Sequence, residues 1–371
     1  MKISYIHGLC VKNDAISNSI RDEINWLSSD IHNDVRLYAY ECNHSTLPFS
    51  KVTDLRDVAY DPHFQSSDLV IFHFGVYYPL FDLLPVAPKS AKRLVVFHNI
   101  TPKEFVSVEN HPTIDQSFRQ MSNIVYADQV VCDSQTNLDV LRSVGINTPA
   151  TVLPLAVHSN LQTPKKKPSQ FDGLIRVAFI GRFVRSKGPG ELLEALDKLL
   201  QCNQSIHLKL DMVGNLSFSD SVLLEDIRKN VDAMRTTYKD RFKVSIHGNA
   251  SEEMKQQILL DADLFILPTY HEGFCVPILE AFAKGCKVIV YENSNTPAIS
   301  GGFSRLTPTG DVTALSCAIN ETIEEIKSSA WCSDSTESYS EYSKKVRMHV
   351  QQYSPERTER RFLKFIKSIL C

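Results

Sequence analysis

Short apolar runs alternate with helical patterns through the whole chain. In the first half, "KISYIHG", "VRLYAYE", "DLVIFHFG", "RLVVFHNI", "QVVCDS" and "TVLPLAV" read as strands. In the second half, "IRVAFIG", "LKLDMVG", "KVSIHG", "LFILPT" and "KVIVYE" repeat the style. The apolar positions in these runs are nearly continuous rather than alternating, so both faces of each strand are covered. Strands of that kind, separated by helical patterns, predict α/β architecture with parallel sheets and helices between the strands.

Between the halves lies "NLQTPKKKPSQFDG", polar, with two prolines and a lysine triplet. Its composition is that of a linker, and the lysines read as a solvated run. The pattern divides the chain into an N-terminal domain over residues 1–160, a linker over 161–173 and a C-terminal domain over 174–353. The tail "SPERTERRFLKFIKSIL" predicts a basic amphipathic helix over about 354–371. Two readings stand for it: a helix packed back on the first domain, or contact with an anionic membrane surface.

At 371 residues the chain exceeds one ordinary core, in keeping with two domains. Its 43% apolar and 22% charged residues are those of a globular protein, and a net charge of −3 shows no global attraction to nucleic acid. The nine cysteines are odd in number, scattered and without a C-x-x-C pair, which points to reduced, packing cysteines in a cytosolic compartment. The opening "MKISYIHGLC" has no long apolar run behind it and reads as no signal peptide. No stretch reaches the roughly 18 apolar residues of a membrane span.

Candidate chemistry concentrates in the second half. "RVAFIGRFVRSKGPGELLEALDKLL" reads as strand, loop and helix, with Pro189 and Gly190 near the helix start. Arg182 leaves the strand end and Lys187 sits just before the helix. Free helix N–H groups with two nearby cations suit a diphosphate. The glycines do not form G-x-G-x-x-G, so a nicotinamide fingerprint is not supported. Further on, "LFILPTYHEGFCVPILEAFAKGCKVIVYE" is a strand, a loop carrying Glu272 and Gly273, and a helix reaching about Lys284. The amides of Phe274, Cys275 and Val276 then face the carboxyl ends of the strands. Glu280 lies a turn or more inside that helix. Eight helical residues span about 12 Å, which suits two parts of one long ligand better than one bond.

"RFVRSKG" together with "HEGFCVPILEAFAKGCKVIV" resembles the donor-binding half of retaining glycosyltransferases of the GT-B type, the group with Glu-x7-Glu and a family 4-like, bacterial surface-polysaccharide character. The resemblance implies two Rossmann-like domains whose parallel sheets face across a central cleft, the first binding acceptor and the second binding a nucleotide sugar. It implies that Arg182 and Lys187 hold the donor diphosphate, that Glu272 lies beside the transferred sugar and that Glu280 binds ribose. It also makes Gly273 and the amides of Phe274, Cys275 and Val276 donor contacts. In the first half, "YIHGLCVKNDAISNSI" is similar to the family's N-terminal glycine loop and carries Gly8 over without its usual second glycine. "RLVVFHNITPKEF" places His98 where relatives keep a histidine near the donor sugar. One departure is "YENSNTPAISGG", where many members have a further acidic residue and this chain has Ala298.

The implied activity is retaining transfer of a hexose from a nucleotide sugar, such as GDP-mannose or a UDP-hexose, to a saccharide or lipid-linked glycan. The implied setting is surface polysaccharide synthesis in the cytoplasm or on the inner face of its membrane. Glu272 and His98 are the catalytic candidates. No metal or cofactor is expected, because the cations suffice to stabilise a departing diphosphate. A nucleotide-sugar epimerase of the same architecture and a non-catalytic nucleotide-sugar-binding subunit remain open. Among other candidates, Asp14 reads as a helix N-cap. His271 is a candidate gate residue. Asp261 and Asp263 read as structural, and His7, His73 and His247 form no i, i+4 pair with another histidine that would suggest metal ligation.

Overall fold

The computed structural model describes residues 1–12, 14–159, 172–328 and 337–370. The chain divides into two compact units, one of residues 1–103, 108–156 and 353–371, the other of 104–107 and 157–352. Most of the segment expected as a linker, 161–171, lies outside the described residues.

The first unit is built on a seven-stranded sheet from β1 (Lys2–Ile6), β3 (Asp34–Ala39), β5 (Phe49–Lys51), β6 (Leu69–Phe74), β7 (Lys92–Phe97), β8 (Gln129–Cys132) and β9 (Ala150–Val152). Their order across the sheet is β5-β3-β1-β6-β7-β8-β9, all parallel. A two-stranded ribbon of β2 (Leu9–Cys10) and β4 (Glu41–Cys42) extends beyond β1 and β3. β6 is buried at every position of "LVIFHF", as its unbroken apolar run requires of a central strand, and its one polar residue, His73, is fully enclosed.

The second unit holds a six-stranded parallel sheet of β10 (Leu174–Ile180), β11 (His207–Gly214), β12 (Phe242–Gly248), β13 (Leu264–Leu267), β14 (Lys287–Tyr291) and β15 (Arg305–Thr307). The order is β12-β11-β10-β13-β14-β15. In chain order within the sheet this is 3-2-1-4-5-6, the doubly wound Rossmann arrangement. The strand order reverses between β10 and β13, so the loops leaving those two strands flank the crevice where such sheets take ligands.

Every strand read from the apolar pattern is present, with one shortened. "TVLPLAV" is a strand only through Val152, because Pro154 interrupts any ladder it could continue. The ribbon strands, β5 and β15 escaped the pattern, being only two or three residues long and partly exposed.

The tail forms the helix Pro355–Leu370, which belongs to the first unit. Phe362 and Ile366 are buried in that unit's core cluster, with Leu363, Phe365, Ile369 and Leu370 packed against it, and the Phe362 ring lies 5.8 Å from that of Trp26 on the helix Ala15–Ser28. Arg357, Arg360, Arg361, Lys364 and Lys367 remain exposed on the other face. The apolar stripe is therefore occupied by the core, and only the basic face is turned to solvent. No helix among the described residues is long and apolar enough to cross a membrane. The described cysteines are all free.

Candidate active site

At the switch point of the second unit, two loops are stitched together by main-chain and side-chain hydrogen bonds. The Ser186 carbonyl, in the loop after β10, accepts from the Tyr270 amide at 2.8 Å and from Thr269 Oγ1 at 2.9 Å, both in the loop after β13. Tyr270 Oη donates to Glu191 Oε1 at 2.9 Å. Gly188 permits this closeness. Its φ is +65°, and a Cβ there would fall 2.1 Å from the Pro268 carbonyl oxygen.

The stitching brings Lys187 to Glu272. Lys187 Nζ donates to Glu272 Oε1 at 2.6 Å, with only 18% and 8% of the two side chains exposed. Sequence reading assigned these residues separately, the cation to phosphate and the acid to sugar; the structure joins them as one ion pair. The Cys275 thiol is pushed up by burial and further by the Glu272 carboxylate. Burial lowers His271, against the pull of Glu272, and its buried Nε2 has no hydrogen-bond partner.

Two helix starts open nearby. The helix Pro189–Cys202 begins with a proline, and the Leu192 amide turns back to the Gly188 carbonyl at 3.1 Å. The first-turn amides of Gly190 and Glu191 have no protein acceptor among the described residues, leaving them oriented outward at the positive end of the helix. Arg182 is exposed and has no ion-pair partner among the described residues. The helix Val276–Ala283 starts after Cys275, which sits in the left-handed region at φ 76°. Pro277 has no N–H and the Ile278 amide bonds the Cys275 carbonyl at 3.3 Å, so of the amides at this helix start Val276 has no protein acceptor among the described residues.

Glu280 is in the second turn of that helix and 7% exposed. Its Oε1 accepts from Lys255 Nζ at 2.7 Å, an ammonium that also meets Glu252 Oε2 at 2.9 Å. Burial alone would lower Lys255; the charges and hydrogen bonds of Glu280 and Glu252 outweigh it and raise it. Sequence reading missed Lys255. In "SEEMKQQILLD" it looks like an ordinary i, i+3 partner of Glu252 on a solvated helix, with no local sign of Glu280.

The stretch with Ala298 in place of an acid contributes amides instead. Asn293 Nδ2 donates to the Thr269 carbonyl at 2.8 Å, and Asn295 Nδ2 to the Phe274 carbonyl at 2.9 Å. Both hold the Glu272 loop from behind. Asp263 Oδ2 accepts the Arg176 amide at 3.0 Å, tying β13 to β10.

In the first unit, Gly8 follows β1, and a Cβ on it would meet Tyr78 Cβ at 3.2 Å. Asp14 caps the helix Ala15–Ser28 by accepting the Ser17 amide at 2.9 Å. His98 stands at the carboxyl end of β7, ahead of Asn99 at φ 71°. Its ring is 5% exposed and both nitrogens are engaged, Nδ1 with Asp133 Oδ2 at 2.7 Å and Nε2 with His73 Nδ1 at 2.8 Å.

With this geometry in view, residues 162–346 match the family described as "Glycosyl transferases group 1". The chain carries a group 1 glycosyl transferase domain. A D-inositol 3-phosphate glycosyltransferase of Corynebacterium jeikeium (strain K411) is 30% identical over 36% of this chain and 31% of its own length. An O-antigen chain mannosyltransferase B of Escherichia coli is 24% identical over 40% of this chain and 36% of its own. The aligned regions thus span about a third of the curated relatives. A glycosyltransferase of Rickettsia africae ESF-5 superposes with a TM-score of 0.74 at 14% identity, over 99% of this chain and 98% of that one. The fold is GT-B. The group 1 domain match includes Arg182, Lys187, Lys255, Glu272 and Glu280, so the two acid–lysine pairs lie within it.

Proposed function

We propose that the protein is a retaining glycosyltransferase that moves a hexose from a nucleotide sugar to a saccharide or lipid-linked glycan acceptor. The observation that carries this is the Lys187–Glu272 pair at the β10/β13 switch point of a group 1 glycosyl transferase domain. A single mostly buried contact there presents a cation and an acid to adjoining parts of one ligand.

In this reading the diphosphate lies over the Gly190 and Glu191 amides, where the helix dipole favours negative charge. Lys187 and Arg182 stabilise the charge that develops on the leaving phosphate, as preorganised donors do. Glu272 orients hydroxyls of the transferred sugar through its second oxygen, with Gly273, Phe274, Cys275 and Val276 forming the wall beside it. Lys255 fixes one oxygen of Glu280 and leaves the other to accept from ribose. In the first unit His98 is assigned a sugar contact made without its ring nitrogens, which Asp133 and His73 hold, and Gly8 is assigned a donor contact. The reaction as proposed needs no metal. The O-antigen chain mannosyltransferase among the relatives supports a mannosyl donor and a role in surface polysaccharide synthesis; the proposal adds a GDP-mannose-type donor and a place on the cytoplasmic face of the membrane. Any membrane contact would come from the exposed basic face of the C-terminal helix.

A thermal-shift panel of UDP-, GDP- and ADP-sugars, followed by transfer assays with and without EDTA, tests this reading. A bound donor raises the melting temperature. Glu272→Gln is expected to abolish transfer while sparing nucleotide binding. Full turnover in that variant overturns the assignment of Glu272, and sugar that stays on nucleotide as an epimer overturns transfer. Complete loss of activity with EDTA overturns metal independence.

A further inference from the structure

Behind His98, the first unit contains a continuous line of buried titratable groups. Asp133 Oδ2 meets His98 Nδ1 at 2.7 Å, His98 Nε2 meets His73 Nδ1 at 2.8 Å, and His73 Nε2 meets Glu23 Oε2 at 3.1 Å. The two rings are near parallel, at 20° and 5.1 Å between centroids. His73 is fully buried, and Asp133, Glu23 and the His98 ring are 3%, 5% and 5% exposed.

Each contact requires one hydrogen, so the line needs three. Two neutral imidazoles supply two. The third must come from a second proton on the imidazole pair or from a protonated carboxyl group. Glu23 is poorly suited to carry it, since Oε2 also accepts from Tyr5 Oη at 3.2 Å and Oε1 from Ser19 Oγ at 2.9 Å. Asp133 receives the shortest contact in the line and sits just ahead of the helix Gln135–Ser143, where the helix dipole favours a negative charge. The extra proton therefore belongs to the imidazole pair. Only one ring can hold it, because two imidazoliums would face each other donor to donor.

We propose that Glu23, His73 and Asp133 are positioning residues which hold one extra proton on the His73–His98 pair and lock the His98 ring in place at the end of β7. This rests on the reading of His98 as a sugar-contacting residue only for its effect on transfer; the proton count stands on the geometry alone.

The surroundings agree. Burial acts to lower His98 and is the largest single influence on it, yet the charge and hydrogen bond of Asp133, with Glu23 and Asp14 behind them, raise it overall. Among the described residues, the other titratable groups bonded to the line, His7, Tyr78 and Tyr5, add no positive charge. His7 donates from Nδ1 to the His73 carbonyl at 3.1 Å and is driven down to about 3, first by burial and then by His73, so it stays neutral. Tyr78 Oη donates to the same carbonyl at 2.8 Å, and burial raises both Tyr78 and Tyr5.

Glu23→Gln distinguishes this arrangement from simple packing. The glutamine amide can donate to His73 Nε2, so the line closes with neutral imidazoles and the extra proton is no longer needed. Histidine-selective ¹⁵N NMR of the full chain, recorded against pH, is the direct readout, with His73→Gln and His98→Gln assigning the two rings. In the wild type, one ring of the pair is expected to keep both N–H groups to a pH above the ordinary imidazole range. In Glu23→Gln that proton should leave about 1–3 pH units lower. A wild-type pair that titrates like free histidine, or one unaffected by Glu23→Gln, overturns the proposal. In transfer assays, the alkaline limb of kcat should move by the same interval with donor KM unchanged. An unmoved profile in a variant with the shifted NMR titration overturns the positioning role. Absence of transfer by the wild type with every donor refutes the proposed function instead, and leaves the NMR result to judge the proton line.

Discussion

Lys187 and Glu272 are 85 residues apart in the chain and share a 2.6 Å hydrogen bond, because β10 and β13 are neighbours in the sheet and the loops leaving them are bonded together through Ser186. The pair is mostly buried, so neither charge has much water to fall back on.

Lys187→Ala should therefore do two things. It leaves the Glu272 carboxylate without its cation, at a cost of about 1–3 kcal/mol, and it weakens binding of a nucleoside diphosphate. A double-mutant cycle with Glu272→Gln, followed by urea unfolding, should show a coupling energy of roughly 1–3 kcal/mol. Additive single effects would mean that the contact contributes nothing, and unaltered nucleotide affinity would separate Lys187 from phosphate.

Gly188 and Gly190 make a matched comparison within "KGPG". A Cβ at Gly188 meets the Pro268 carbonyl oxygen at 2.1 Å in a left-handed backbone, whereas a Cβ at Gly190 meets nothing within 4 Å. Gly188→Ala should separate the two loops, with lowered melting temperature and lost donor binding. Gly190→Ala should fold normally and gain about 0.5–1 kcal/mol, as alanine does over glycine in a helix. Equal melting temperatures for the two variants would contradict the loop packing.

Lys255 links stability to alkaline pH. Its folded value is raised above the ordinary 10.5 by Glu280 and Glu252 against burial. The folded state thus holds the proton more tightly than the unfolded chain, and the stabilisation is complete below 10.5 and fades as pH climbs through the folded value. Chemical unfolding above pH 10.5 should show wild-type stability falling more steeply than that of Lys255→Met. Parallel slopes would remove Lys255 from the linkage.

His7 acts at the other end of the scale. Burial, reinforced by His73, lowers it from 6.5 to about 3. The unfolded chain binds more protons across that interval, so stability present at pH 6.5 is lost on acidification toward pH 3. His7→Gln keeps an amide donor for the His73 carbonyl and cannot titrate. Its stability should decline less than the wild type's between pH 6.5 and 3, measured by urea midpoints. An identical decline would assign acid sensitivity to other groups.

The first stretches to identify the site, "RFVRSKG" and "HEGFCVPILE", were legible because both join a strand end to a helix start, and strand and helix are local patterns. At the two helix starts, the amides of Gly190, Glu191 and Val276 have no protein acceptor among the described residues. Lys255 was not legible, since its partner Glu280 is 25 residues away on another helix. Nor were the amide supports Asn293 and Asn295, which bond carbonyls of a loop on a neighbouring strand.

The sequence alone determined the two parallel sheets, the order of strand and helix, and which residues stand at strand ends, because burial on both faces writes continuous apolar runs into the chain. It also placed His98 at its strand end. Which charges meet was decided only in three dimensions: Lys187 with Glu272, Lys255 with Glu280, and His98 through His73 to Glu23. Those pairings follow from strand order and from helices crossing the sheet, and no pattern with a period of a few residues can encode them.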